Sequence, residues 1–109
     1  MGRMTYFLTT VMGDSINEPD EAAMRHALDS LDTYADEEHP DVALSNESGW
    51  TLSAFRDGLL QWELIVDAGD GDAPVPGVLR DVPRQEVLRL FTLLAAGRID
   101  QIESLPWRR

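Results

Sequence analysis

Residues 48–66 read SGWTLSAFRDGLLQWELIV, two runs of alternating side chains around Arg56-Asp57-Gly58. Side chains alternate faces along a strand, so register decides which of them are buried. A two-residue turn at Asp57-Gly58 sets Leu52 against Glu63 and Ala54 against Gln61. A three-residue loop, Arg56-Asp57-Gly58, sets Ala54 against Leu60, Leu52 against Trp62 and Trp50 against Leu64. It also joins Phe55 to Leu59. The second register gathers Trp50, Leu52, Ala54, Leu60, Trp62 and Leu64 on one apolar face. The opposite face is then Thr51, Ser53, Phe55, Leu59, Gln61 and Glu63. Burial selects this register, with Gly58 supplying the left-handed residue that such a loop needs. Trp50 and Trp62 are expected in a core.

The flanking sequence supplies the rest of the fold. Residues 4–12, MTYFLTTVM, are aromatic and β-branched without Gly or Pro and read as a strand broken by Gly13-Asp14-Ser15. Residues 19–34 read as a helix with Met24, Ala27, Leu28, Leu31 and Ala35 on one stripe. Asn17 or Glu18 is expected at its start, with Pro19 just inside. Residues 35–41, ADEEHPD, read as a polar loop, residues 42–46 as a short strand and residues 46–49 as a turn. Residues 67–76, DAGDGDAPVP, hold turn formers and almost no bulk, and a mobile loop is expected there. Residues 78–82 suit an edge strand. Asp81 is placed to cap a second helix from Val82 or Pro83, with Val87, Leu90, Phe91 and Leu94 buried and Gly97 ending it. Residues 98–105 suit a last short helical turn before Pro106 and Trp107. The expected class is α+β, an antiparallel sheet of four to five strands with two main helices packed on one face. At 109 residues the chain suits a single domain, 1–109.

Charge narrows the function. The net charge is −11, and residues 13–48 carry eleven acids against one arginine. Phosphate binding needs a basic footprint, so nucleic acid is not an expected partner. A basic protein surface is. No run of eighteen apolar residues exists, and the N-terminus lacks a signal-peptide pattern, so a cytoplasmic protein without a membrane span is expected. All nine basic residues are arginine, a bias of GC-rich genomes.

Catalytic patterns are sparse. With no cysteine, disulfides, thiolate zinc sites and cysteine nucleophiles are excluded. Ser45, Ser48 and Ser53 lack an elbow motif, and no glycine pattern suits a dinucleotide or a P-loop. Asp67, Asp70 and Asp72 could hold calcium or magnesium, but their spacing is not that of an EF-hand. His39 with its acidic neighbours, and His26 on the first helix, read as surface residues. No enzyme, cofactor or metal is expected. The candidate partner-binding residues are Asp29, Asp32, Asp36, Glu37, Glu38 and Asp41 for charge, with Phe55 and Leu59 beside the hairpin turn as apolar anchors.

The C-terminal part carries a further pattern. GLLQWE is followed by a loop and VPRQEVLRLFTLLAAGRIDQIESLPW. Over residues 42–107 this resembles a family of small α+β immunity proteins of bacterial polymorphic toxin systems, often encoded beside deaminase-type toxins. The corresponding positions are the strand ending at Trp62, Val82-Pro83 at a helix start, Gly97 at its end, and Trp107. The proline usual soon after that glycine is missing from Arg98-Ile99-Asp100. The resemblance implies a protein without catalysis or cofactor that binds and neutralises a cognate toxin. The alternatives are a small regulatory or adaptor protein with another basic partner, and a metal-dependent enzyme using the Asp67, Asp70, Asp72 loop.

Overall fold

A computed structural model describes residues 5–11, 13–33, 41–64 and 75–108. The chain runs β1 (Tyr6–Thr9), β2 (Ser15–Asn17), α1 (Glu21–Thr33), β3 (Asp41–Asn46), β4 (Trp50–Phe55), β5 (Leu60–Leu64), β6 (Gly77–Leu79), α2 (Arg84–Ala95) and α3 (Ile99–Glu103). All neighbouring strands are antiparallel, in the order β2-β1-β3-β4-β5-β6. The class is α+β, but six strands and three helices replace the four to five strands and two main helices expected. The added strand is β2. Gly13 turns the chain in the left-handed region, φ 88°, and Ser15 to Asn17 then return along β1. Three residues are too few to show a period, which is why Gly13-Asp14-Ser15 read only as a break and Asn17 as a helix start.

The β4–β5 hairpin has the register that burial selected. Trp50 pairs with Leu64, Leu52 with Trp62 and Ala54 with Leu60. The Phe55 N–H donates to the Leu59 carbonyl at 2.9 Å, and Gly58 has φ 89°. Leu52, Ala54, Leu60 and Trp62 join Leu8, Val42 and Leu44 on the face that meets the helices. From α1 come Met24, Ala27, Leu28 and Leu31, and from α2 Val87, Leu90, Phe91 and Leu94; Ile102 of α3 and Trp107 complete the core. The stripes read by helical spacing are thus the buried ones, except Ala35, which lies outside the described residues.

All three tryptophans meet in one stack. Trp50 and Trp62 lie 4.5 Å apart between centroids and 9° from parallel; Trp62 and Trp107 lie 6.1 Å apart and 17° from parallel. Trp62 is fully buried, whereas Trp50 at the end of the stack is only half-buried, less than the core position expected. A buried indole N–H needs an acceptor. Trp62 Nε1 donates to Glu103 Oε2 at 2.7 Å, and Trp107 Nε1 to the Ile102 carbonyl at 2.8 Å. Both acceptors belong to α3, so this five-residue helix is held by the tryptophans as much as by its own bonds. Gly77 leaves room for Trp107: a Cβ there would stand 2.6 Å from the Trp107 Cβ.

Two helix starts differ from expectation. Asp20, not Asn17 or Glu18, caps α1, its Oδ1 accepting from the Ala23 N–H at 2.8 Å. Pro19 is therefore outside the helix, and Asn17 is spent in β2. Asp81 does not cap α2; the residue before that helix is Pro83, with no side-chain bond. Asp81 has φ 57°, and that turn aims the Val82 N–H at the Gly58 carbonyl, 3.0 Å away. The approach to α2 thus clasps the β4–β5 loop. The end of α2 is as read: Gly97 N–H donates to the Leu94 carbonyl and Arg98 N–H to the Leu93 carbonyl, a Schellman close with Gly97 at φ 77°.

Candidate protein-binding surface

The described acids of residues 13–48 lie on α1 and β3 and in the links between elements. Asp14, Glu18, Asp20, Glu21, Asp29, Asp32 and Glu47 are all exposed. Asp41 is half-buried, because it sits inside the sheet with Phe55 opposite it on β4. Of the candidate partner residues, Asp29 and Asp32 share α1, whereas Asp41 and Phe55 are cross-strand neighbours on the sheet face turned away from the helices. Leu59 is half-buried just beyond the loop, where its N–H donates to the Asp57 carboxylate at 3.2 Å. The candidates therefore divide between the helical side and the outer sheet side. Asp36, Glu37 and Glu38 lie outside the described residues, as do His39 and the Asp67, Asp70, Asp72 loop.

Asp32 is not a free charge. Arg84, at the first position of α2, reaches α1, with Nη2 3.4 Å from Asp32 Oδ1 and Nη1 donating to the Leu28 carbonyl. A guanidinium is well placed in the C-terminal half of a helix, where carbonyls and dipole both favour a cation. Fifty-odd residues separate Arg84 from its partners, and no local spacing announces such a link. Between α1 and α2 Arg84 also lines a groove of about 330 Å³ with Arg25, Leu28, Asp29, Gln85 and Leu88. Arg25 is itself paired with Glu21, 3.6 Å away on the preceding turn.

The β1–β2 side offers two more recesses. One of about 230 Å³ lies against α1 and is lined by Thr10, Val11, Ile16, Ala23, His26, Ala27 and Ser30. The other, about 480 Å³, is lined by Thr5, Tyr6, Phe7, Asn17, Glu18 and Glu47. Glu47 is held there by the Thr5 N–H at 3.2 Å. Phe7 and Ile16, 40% and 36% exposed, are the large apolar side chains most open to solvent in the strands described. Neither was singled out from the sequence: Phe7 fits an ordinary strand pattern and is exposed although β1 has a neighbour on each side, while Ile16 lies in an edge strand too short to show a pattern.

Elsewhere polar groups serve the fold. Asn46 Oδ1 accepts from the Ser48 N–H, the Ser48 hydroxyl and the Trp50 N–H, closing the β3–β4 turn. On the outer sheet face Ser45 and Thr51 share a hydroxyl hydrogen bond of 2.9 Å, and Thr51 is buried there despite facing away from the helices. On α2 the hydrogen bond from Arg89 holds the Glu86 carboxyl below its ordinary range and raises Arg89 in turn. Among the described residues, no group of three or more acidic or imidazole side chains is arranged to hold a metal ion. None of their helices is long and apolar enough to cross a membrane.

Comparison with protein-family models, with curated proteins and with solved structures gives no match to this chain.

Proposed function

We propose that the protein is a non-catalytic binding protein that neutralises a cognate bacterial toxin by covering a basic surface on it, in the cytoplasm of the cell that makes both. The observation that carries this reading is the charge: every described acid of residues 13–48 except Asp41 is exposed, on a chain of net charge −11. A toxin that acts on nucleic acid needs a basic groove for its substrate, and an acidic inhibitor complements it. The resemblance over residues 42–107 points to the same class, with deaminase-type toxins as candidates. Exposed charges at a rim steer encounter more than they hold the complex, so their effect falls on association.

The test is co-production with the toxin encoded beside the gene, followed by association kinetics at low and high salt. The parent should protect the cell and associate rapidly at low salt. A variant with Asp29, Asp32, Asp36, Glu37 and Glu38 changed to Asn or Gln should associate about tenfold or more slowly, with weaker salt dependence. Equal association rates for parent and variant would remove the electrostatic reading. Absence of protection with a different basic protein captured instead would favour the adaptor reading.

A further inference from the structure

We infer that the free edge of β2 is a docking edge for an extended, arginine-bearing segment of the partner, which adds to the sheet as a seventh strand. The inference rests on the reading of the protein as a binder of a basic partner and names the surface and the kind of segment.

Backbone geometry comes first. Thr10 N–H donates to the Asp14 carbonyl at 2.8 Å and Glu18 N–H to the Tyr6 carbonyl at 3.0 Å. Hydrogen-bonded pairs alternate along an antiparallel ladder. Leu8 and Ile16 are therefore the bonded pair between those two, and Ser15 and Asn17 turn their N–H and C=O groups to the free edge. No described residue pairs with that edge. The other edge of the sheet is closed by the chain itself, where Val78 and Arg108 exchange two backbone hydrogen bonds of 2.9 and 3.0 Å.

Side chains then say what fits. A residue opposite Ile16 on an added strand shares its face of the sheet. It would cover Ile16 and enter the recess of about 230 Å³ with Val11, Ala23 and Ala27, which suits a branched apolar side chain. Beyond Asn17 the recess of about 480 Å³ is bordered by the exposed Glu47, whose negative charge suits a guanidinium. Asp14 and Asp20 add exposed negative charge before and after β2. The same charge opposes a second copy of this chain, because two identical acidic edges would meet. A partner segment that is extended, basic and apolar at alternate positions satisfies backbone, recess and charge together.

The probe is a short capped peptide of alternating valine and arginine, with a twin N-methylated on alternate amides so that it cannot pair with a strand. Amide exchange of the full chain is followed by NMR at low salt. Binding should slow exchange at Ser15 and Asn17 by about tenfold or more, and the twin should leave both unchanged. Asn17→Pro removes an edge donor without touching the β1 ladder and should abolish the effect at unchanged melting temperature. Asp14→Asn with Glu47→Gln should weaken binding several-fold while preserving the edge protection at saturation. Equal binding of the twin overturns the edge. So does peptide protection confined to α1 around Asp29, although that outcome leaves the basic-partner reading standing. A concentration-dependent dimer that protects Ser15 and Asn17 without peptide assigns the edge to a second copy and overturns the proposal. No binding of either peptide at low salt overturns both the edge and the electrostatic reading beneath it.

Discussion

Trp62 shows how much one side chain can hold. It is fully buried, stacked between two indoles, and its Nε1–H reaches Glu103. Trp62→Ala removes the packing and the bond at once and should destabilise by about 3–5 kcal/mol in chemical denaturation. Trp62→Phe keeps an aromatic ring in the stack but loses the donor, and the smaller loss it shows measures the hydrogen bond together with the reduced area. Gly77 is the second sensitive residue. Its missing Cβ is the space that Trp107 fills, and the obstacle at 2.6 Å is the near end of that side chain, which cannot swing away. Gly77→Ala should therefore cost about 1–3 kcal/mol, as overpacking does. A variant that melts with the parent would mean that the C-terminal segment shifts without loss.

At the scale of elements, the two glycine-dependent turns make a matched comparison. Gly97 at the end of α2 has φ 77° with open space where a Cβ would stand, so Gly97→Ala meets only the conformational penalty, about 1–2 kcal/mol. Gly58 in the β4–β5 loop has φ 89° and the Asp81 backbone 3.3 Å from a Cβ, so Gly58→Ala meets the same penalty and a contact as well. The Gly58 variant should be the less stable of the two in thermal melts, and it should loosen the clasp between the Val82 N–H and the Gly58 carbonyl, visible as faster exchange of that amide. The start of α1 depends on Asp20. Asp20→Ala should cost about 1 kcal/mol, and Asp20→Asn or Ser much less, since each retains an acceptor for the Ala23 N–H.

For the whole molecule, the surplus of negative charge acts against the compact state. Self-repulsion at net charge −11 is screened by salt, so the melting temperature at neutral pH should rise between low and physiological ionic strength. A flat or falling response would mean that local attractions, such as Arg84 with Asp32, outweigh the summed repulsion. The same surplus is what a basic partner would neutralise, which links the stability of the free protein to the association proposed for it.

The sequence by itself determined whatever depends on neighbours along the chain. Alternation chose the register of β4 and β5, because a slip of one residue would exchange the apolar and polar faces. The 3.6-residue period named the buried stripes of α1 and α2, and Gly97 marked where α2 ends. Tertiary structure decided what depends on residues brought together from far apart. Trp107 completes the stack, Glu103 receives the Trp62 N–H, and Arg84 fastens α2 to α1 through Leu28 and Asp32. It also decided that Asp81 turns the chain and does not cap a helix, since the carbonyl that rewards the turn belongs to Gly58. The free edge of β2 is of the same kind. Its three residues carry no period, and exposure there comes from the order of the strands in the sheet, which leaves β2 with one neighbour where every inner strand has two.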